Sequence, residues 1–320
     1  MTAQTLPAPR EELLTDAELL VVFATHNGAG WIEQVLAGYA QQERADFAWS
    51  LVVVDNASTD ATCAILERWQ ARLPLLVLSE PRPGKNVALN CALEAIANPA
   101  CDFIFTDDDA IPAPDFLLRW REVLIARRGA GLFGGSVVPG FDGVDDAVPR
   151  RYAQWYGEIY ARNSRAAGRI APESIFGPNM AVSGALIRRG FRFDEAIGPS
   201  SADAAYPMGS ETEFCIRVAR ETGAEAWFAS APQVRHIVRP NQTREAFILA
   251  RAFRHGRGFA LMHGPAQRGT GARLKASVRL VLLSLLARTG HVPSRWNAAW
   301  QRGFEAGMAE TASQAPAGQV

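Results

Sequence analysis

Short apolar runs alternate with amphipathic stretches through the first hundred residues, and this pattern restricts the possible fold more than any other feature of the sequence. The apolar runs predict strands at residues 19–24, 51–55, 75–78 and 103–106. Helical patterns lie between them, at about residues 30–42, 60–72 and 86–97. Strand followed by helix is typical of a parallel sheet with helices on both faces. The sequence therefore predicts an α/β fold with a Rossmann-like, mostly parallel sheet.

The second half of the chain continues without a linker-like segment. Its patterns predict helices at 114–128, 211–221 and 243–262, and strands at 131–138 and near Ala226 and Val234. We therefore predict an N-terminal extension over 1–18, one domain over 19–264 with halves 19–110 and 111–264, and a C-terminal helical tail over 265–320. The tail is expected to fray from Glu310 onward.

Charge and cysteine content indicate which binding partners are excluded and in which cellular compartment the protein is expected. Thirty-three basic residues balance thirty-three acidic ones, so the chain as a whole does not attract nucleic acid, and no such partner is predicted. The first 18 residues contain no basic-then-apolar signal sequence, and the four cysteines form no C-x-x-C pair. These features predict a cytoplasmic protein with reduced thiols.

The tail contains an apolar stretch at 274–287, which Lys275 and Arg279 interrupt. It is shorter than the roughly 20 apolar residues that span a bilayer. Two interpretations stay open. Residues 272–288 form an amphipathic helix on the cytoplasmic face of a membrane, or the helix packs on the core or on a partner chain.

Polar residues follow three of the predicted strands. They are Thr25-His26-Asn27, Asp55-Asn56 and Asp107-Asp108-Asp109. In open α/β sheets the ligand crevice lies outside the carboxyl ends of the strands. We therefore expect these clusters to converge on one site.

The three adjacent acids are the most specific feature of that group. Adjacent carboxylates repel one another unless they are solvated or bind a cation, and Mg²⁺ or Mn²⁺ combines carboxylates with phosphate oxygens. On an extended backbone Asp107 and Asp109 point to the same side, which makes them the natural pair, while Asp108 faces away. The alternative is a turn that caps the following helix.

Two further segments suit a nucleotide. Asp55 at a strand end can accept hydrogen bonds from a base or ribose, although local turn amides would satisfy it equally well. Lys85 follows Gly84 directly before a helix and could contact a phosphate, with Asn90 supporting the same pocket, although an exposed loop lysine is commoner. Gly28-Ala29-Gly30 lacks the third glycine of a dinucleotide fingerprint, and no Walker motif occurs. A dehydrogenase and a P-loop enzyme are thereby disfavoured.

Taken in order, these segments resemble the inverting family 2 glycosyltransferases, which have a GT-A fold, over about residues 19–264. Thr25-His26-Asn27 resembles the family's T-x-N, and the run from Val54 to Asp60 resembles its V-D-[ND]-x-S-x-D. Asp107-Asp108-Asp109 stands at its D-x-D, and the stretch from Lys85 to Asn90 is similar to its G-K-x-x-A-L-N.

The resemblance extends to the second half. Gly177-Pro178-Asn179-Met180-Ala181 is similar to the segment before the family's catalytic acidic motif, which appears here as Gly209-Ser210-Glu211-Thr212-Glu213-Phe214. Ser210 replaces one expected acid, and Glu211 aligns with the second. His236 matches the histidine that lies near the metal and the diphosphate, although a histidine alone is more often an ordinary surface or packed residue.

A single in-line displacement with inversion at the anomeric carbon is the reaction that the resemblance implies. Asp109, His236 and Asp107 would hold Mg²⁺ or Mn²⁺ on the diphosphate, and Glu211 would take the proton of the acceptor hydroxyl. The nucleotide-sugar donor, most simply a UDP-sugar, would contact a set of residues in the first half: Thr25, Asn27, Asp55, Lys85, Asn90, Asp107 and Asp108. A saccharide or lipid-linked acceptor would bind the second half, where Tyr152 to Tyr160 suit a sugar but would equally fill a core.

Two other functions are compatible with parts of the pattern. A sugar nucleotidyltransferase also uses a nucleotide and a metal, but the glycine-rich first loop expected of that class is missing. A non-catalytic carbohydrate-binding protein with the GT-A scaffold is suggested by Ser210 in the acidic motif. Donor hydrolysis or transfer distinguishes an enzyme from such a scaffold.

Overall fold

A computed structural model of the chain describes residues 12–43, 46–96, 101–127, 131–263 and 270–314. The strands, numbered in chain order, are β1 Leu19–Thr25, β2 Trp49–Asp55, β3 Leu75–Ser79, β4 Asp102–Thr106, β5 Ala110–Pro112, β6 Leu132–Gly140, β7 Gly168–Arg169, β8 Asn179–Val182 and β9 Ala226–Ile237. The helices are α1 Glu12–Thr15, α2 Ile32–Ala40, α3 Thr62–Trp69, α4 Lys85–Ala95, α5 Phe116–Ala126, α6 Ala147–Arg150, α7 Tyr156–Tyr160, α8 Gly184–Arg188, α9 Ser210–Thr222, α10 Glu245–His263, α11 Thr270–Arg288 and α12 Val292–Gln314.

The strands form one mixed sheet in the order β3-β2-β1-β4-β8-β6-β9-β5, with β7 beside β9. β1 to β4 are mutually parallel, and β6 runs parallel to β9, whereas β8 and β5 run antiparallel to their neighbours. The predicted α/β class with a mostly parallel sheet is confirmed.

Strands in the centre of this sheet are buried on both faces, which explains their continuous apolar sequences. In β1, Val21 and Phe23 pack in a core that includes α2, α3 and α5. Leu20 and Val22 point to the other face, into a second core that includes α4 and α9. Alternate side chains of the single apolar strand β1 therefore pack into the two cores.

One long strand replaces the two that were predicted near Ala226 and Val234. β9 pairs with β6 through residues 226–229 and 233–237, and the register shifts between Gly135 and Ser136. This irregularity lets the strand pass through the Pro232 region, whose sequence has weak strand character, without ending.

Two compact units make up the chain, and each contains three sequence segments. The first comprises Met1–Gly140, Ala161–Glu195 and Ser210–Ile237, and it contains the sheet. The second comprises Phe141–Tyr160, Ala196–Gly209 and Val238–Val320. The predicted boundaries at residues 18, 110 and 264 stay a prediction.

Helices α10 and α12 of the second unit approach each other closely at glycines. A Cβ on Gly256 would lie 2.0 Å from the carbonyl oxygen of Trp300, and one on Gly303 would lie 1.9 Å from that of Phe253. The predicted fraying from Glu310 is wrong in part, because α12 continues to Gln314. Residues 315–320 lie outside the described residues.

The aromatic segment at 152–160 contributes to the core of the second unit. Tyr152 and Tyr160 are buried with Ile248 of α10 and Trp296 of α12, and Trp155 stacks on Trp296. Tyr152 also donates a hydrogen bond to Glu245, which pairs with Arg295. The sequence left two alternatives for this segment, acceptor binding and core packing. The structure shows these side chains packed in a core.

Candidate active site

The ends of β1, β2 and β4 meet at one edge of the sheet. Thr25 is aligned with Asp55 in the parallel register of β1 and β2, and the Thr25 hydroxyl donates a hydrogen bond of 2.6 Å to Asp108. The structure thus brings together the polar residues that follow the three strands.

Asp107, Asp109 and His236 form a cluster suited to a metal ion. One ligand atom from each of the three lies within 4.8 Å of the others. The Nε2 atom of His236 is 3.0 Å from Oδ1 of Asp109, and both residues are buried. β9 positions the histidine, because His236 pairs with Ala110 in the antiparallel register of β5 and β9. Two carboxylates and one imidazole fit Mn²⁺ or Mg²⁺, with coordination positions left for phosphate oxygens.

Asp108 lies outside that set of ligands. Burial, together with the charges of Asp109 and Asp107, raises the pKa of the Asp108 carboxyl to about 7. Gly28 lies against it, since a Cβ there would be 2.5 Å from Oγ1 of Thr25 and 2.8 Å from Oδ2 of Asp108. The loop after β1 therefore encloses Asp108 at a position where a side chain on residue 28 would not fit.

Lys85 connects the candidate metal cluster to the acidic motif. Its Nζ donates to Oδ1 of Asp107 at 2.6 Å and to Oε1 of Glu211 at 2.7 Å. Burial opposes the charge on Lys85, but the two carboxylates outweigh it and raise the pKa of the ammonium group. The ammonium group of Lys85 therefore lies between two carboxylates, one at the end of β4 and one at the start of α9.

The two glutamates of the acidic motif have different surroundings. Glu213 forms an ion pair with Arg217 at 2.6 Å, one turn along α9, and Arg217 also donates to the carbonyl of Arg192. Glu211 instead contacts Lys85, and its carboxylate lies directly over Gly177, where a Cβ would be 2.2 Å from Oε1. Glu211 is the glutamate that lies beside the cluster.

Asp55 offers an acceptor that the protein leaves open. The carboxylate is buried, and its Oδ2 atom accepts a hydrogen bond from the Cys63 thiol at 3.1 Å. Oδ1 is buried and has no hydrogen-bond partner among the described residues. An unsatisfied buried acceptor is costly, so a donor such as an imide N–H or a ribose hydroxyl would fit here.

Asn27 and Asn90 hold loops in place. Asn27 has a left-handed backbone with φ of 53°, its Oδ1 accepts from the Thr59 amide at 2.8 Å, and its own amide donates to Ser58. Asn90 exchanges two hydrogen bonds of 2.9 Å with the backbone of Phe193. In the described part of the chain, Asn90 bonds to Phe193 and Glu195 and not to the Asp107, Asp109 and His236 cluster.

Sequence reasoning gave no role to Gly177 or Cys63. A glycine before a proline and an asparagine is common, and nothing in the local sequence indicates that Gly177 lies beneath the carboxylate of Glu211, 34 positions later. Cys63 is the second residue of α3, and only the fold places its thiol beside Asp55.

The sequence of the chain matches one known protein family. The sequence profile of glycosyl transferase family 2 matches residues 20–186, which is more than half of the 320 residues. The chain belongs to this family. A comparison of this glycosyltransferase with curated proteins finds no significant match.

Solved structures with the same fold include two enzymes at low sequence identity. S. aureus TarS 1-349 in complex with UDP is 19% identical with a TM-score of 0.51, and the match covers 85% of this chain and 71% of that one. The mannosyltransferase PcManGT from Pyrobaculum calidifontis, in complex with GDP-Man and Mn²⁺, is 21% identical with a TM-score of 0.59, covering 93% and 88%. At these identities the likeness establishes the GT-A fold.

Proposed function

We propose that this family 2 glycosyltransferase transfers a sugar from a nucleotide-diphosphate sugar to a hydroxyl of a saccharide or lipid-linked acceptor, with inversion at the anomeric carbon. The observation that carries the proposal is the position of Lys85, which joins Asp107 of the candidate metal cluster to Glu211. The proposed base therefore adjoins the proposed metal ligands, as a transfer from a diphosphate requires.

A nucleotide donor is supported by the solved relatives of the same fold. TarS is described with UDP, and the mannosyltransferase with GDP-Man and Mn²⁺. We take a UDP-sugar as the first candidate donor, with dTDP- and GDP-sugars next. The open Oδ1 of Asp55 is the proposed contact for the nucleoside, and Thr25 and Asn27 shape the same loop edge.

Asp107, Asp109 and His236 would hold Mg²⁺ or Mn²⁺. When bound, the ion would neutralise the diphosphate and stabilise the charge that develops on the leaving group. The buried pair of Asp109 and His236 fixes two of the ligands, whereas Asp107 also contacts Lys85.

Glu211 would act as the general base. The start of α9 favours an ionised carboxylate because the helix dipole is positive there. As the acceptor oxygen bonds to the anomeric carbon, its proton passes to Glu211, and the bond from that carbon to the diphosphate oxygen breaks with its electron pair on the leaving group. Lys85 and Gly177 would keep the glutamate beside the reacting groups.

A donor panel tests the proposal. Purified protein is incubated with UDP-, dTDP- and GDP-sugars and with Mn²⁺, Mg²⁺ or chelator, and released nucleoside diphosphate is measured. Metal-dependent release from one donor class is expected, with Asp109→Asn as the inactive control. NMR of the product reports inversion or retention. Pyrophosphate release from a nucleoside triphosphate and a sugar phosphate would instead indicate a nucleotidyltransferase, and saccharide binding without any turnover a scaffold.

A further inference from the structure

Helix α11 of the second unit has two apolar sides, and only one of them is packed. Leu280, Leu283 and Ala287 are partly buried, and α11 packs against α12. At about 100° per residue these three positions lie on one side of the helix. The fold therefore explains one face of the apolar sequence.

The opposite face consists of five large apolar side chains that are more than half exposed. They are Val278 at 52%, Val281 at 59%, Leu282 at 56%, Leu285 at 53% and Leu286 at 51%. Their spacing of three, four, seven and eight residues confines them to an arc of roughly 140°. Among the described residues only Ile125, Val138 and Phe259 are comparable large apolar side chains with high exposure, and they lie on other elements.

Such a continuous exposed stripe marks an interaction surface rather than ordinary surface composition. Single exposed leucines are common, but five large apolar side chains on one face of a helix leave a continuous apolar area in water. No helix in the described part of the chain combines the length and apolar content needed to cross a bilayer.

Charge identifies the partner. The sequence of α11 contains Arg273, Lys275, Arg279 and Arg288 and no acidic residue, whereas the whole chain has equal numbers of basic and acidic residues. On the helical wheel, position 279 follows Leu286 at one margin of the apolar arc, and Arg288 follows Val281 at the other. Cations at the margins of an apolar stripe are the arrangement of helices that lie in the headgroup region of anionic membranes.

We propose that the exposed face of α11 docks on a membrane surface that contains anionic phospholipids, with the helix lying in the plane of the interface. The apolar stripe enters the acyl boundary, and the flanking cations contact the headgroups. This docking requires no sugar transfer, so it stands or fails independently of the proposed reaction.

Vesicle flotation of the full-length protein tests the proposal. The vesicles contain either phosphatidylcholine alone or phosphatidylcholine with phosphatidylglycerol. We expect the protein to float with the anionic vesicles at low salt and much less with the neutral ones. Leu282→Gln/Leu285→Gln should reduce the bound fraction at least about tenfold, because two apolar anchors are lost. Ile125→Gln is the matched control, since Ile125 is 48% exposed on α5, and it should bind like the unmodified protein.

A charge variant and a hydrodynamic measurement complete the test. Arg279→Gln/Arg288→Gln should weaken the preference for anionic vesicles, because only two of the four basic residues of α11 then remain. Thermal unfolding should confirm that each variant remains folded. Equal flotation of the apolar double variant and the Ile125 control would overturn the proposal, as would absence of flotation in the unmodified protein. Sedimentation velocity without vesicles provides the other decisive outcome. A dimer that Leu282→Gln/Leu285→Gln converts to a monomer, without vesicle binding, would assign the face to a second copy of this chain.

Discussion

Nζ of Lys85 donates a hydrogen bond of 2.7 Å to Oε1 of Glu211, although the two residues are 126 positions apart in the chain. The same ammonium group contacts Asp107. This arrangement separates Glu211 from Glu213, which is neutralised by Arg217 on its own helix. The structure therefore distinguishes the two candidate bases. The acidic motif alone does not distinguish them, because Ser210 replaces one of its acids.

Replacing Glu211 with Gln should lower turnover by roughly 10² to 10⁴ while donor affinity changes little, because the amide keeps the shape but has no basicity. Glu213→Gln should cost much less, since it removes only the ion pair with Arg217. Transfer rate and donor affinity are measured for both variants together. An inactive Glu213→Gln beside a nearly normal Glu211→Gln would show that the base is assigned to the wrong residue.

Asp109→Asn should abolish metal-dependent donor binding, and Asp107→Asn should weaken it less. Asp109 is buried against His236, whereas Asp107 is more exposed and shares its charge with Lys85. Isothermal titration with the active nucleotide, with and without Mn²⁺, measures the effect. An Asp109→Asn protein that keeps its metal-dependent affinity would remove the cluster from the mechanism.

Gly177→Ala should reduce turnover at least about tenfold with little change in stability, because a misplaced catalytic group is costly. The new methyl group would overlap the carboxylate of Glu211 at 2.2 Å. A flexible side chain can move away, so the fold survives while the base is displaced from Lys85. Steady-state kinetics and thermal unfolding are compared with Gly168→Ala as a control, where nothing lies within 4 Å of the added atom and the backbone is not left-handed. Loss of stability in Gly177→Ala without loss of turnover would contradict this account.

Asn179→Ala should destabilise the protein by about 3 kcal/mol, because it leaves several buried groups without partners. The Asn179 amide donates to the carbonyls of Ser136 and Pro232 at the irregular pairing of β6 with β9, and its oxygen accepts from the indole of Trp120. Denaturant unfolding measures the loss. A change below about 1 kcal/mol would mean that water replaces these bonds.

His255 should make stability depend on pH below neutrality. Burial, with a contribution from Arg251, lowers its pKa to about 4, and its Nδ1 accepts a hydrogen bond from the Trp300 indole at 2.9 Å, which requires an unprotonated nitrogen. The unfolded chain binds the proton first, at about pH 6.5. Stability present above that pH is therefore lost as the pH falls toward 4, by at most about 1.4 kcal/mol per unit.

The measurement compares the unfolding free energy of the unmodified protein and His255→Gln between pH 4 and 7. Other groups titrate in both proteins, so the difference between the two slopes isolates the histidine. The glutamine should flatten the curve while it keeps an acceptor for Trp300. Parallel curves would mean that the pKa of His255 is the same in the folded and the unfolded chain.

Sequence patterns predicted the first half of the sheet well. Runs such as Leu51 to Val54 are buried on both faces, so they are continuously apolar and do not show the 3.6-residue period of a helix. They also placed Asp55 and the three acids at strand ends, since that follows from chain direction alone. The contact between Lys85 and Glu211 lay beyond reach, because it depends on how α4 and α9 pack on the sheet. The approach of α10 to α12 was likewise hidden, since glycines such as Gly256 and Gly303 lower helix propensity yet make the approach possible.

The interleaving of the two units has a consequence for synthesis on the ribosome. Strand β9 brings His236 into the first unit, and Ser210–Ile237 is the last segment of that unit to be translated. The candidate metal cluster cannot be completed until about residue 237 has left the exit tunnel, because His236 is its last member to be translated. By then two segments of the second unit have already emerged. A nascent chain shorter than this carries the Asp-rich strand end without the histidine. Release of any N-terminal fragment that stops before β9 should therefore yield a protein in which the acidic cluster is incomplete.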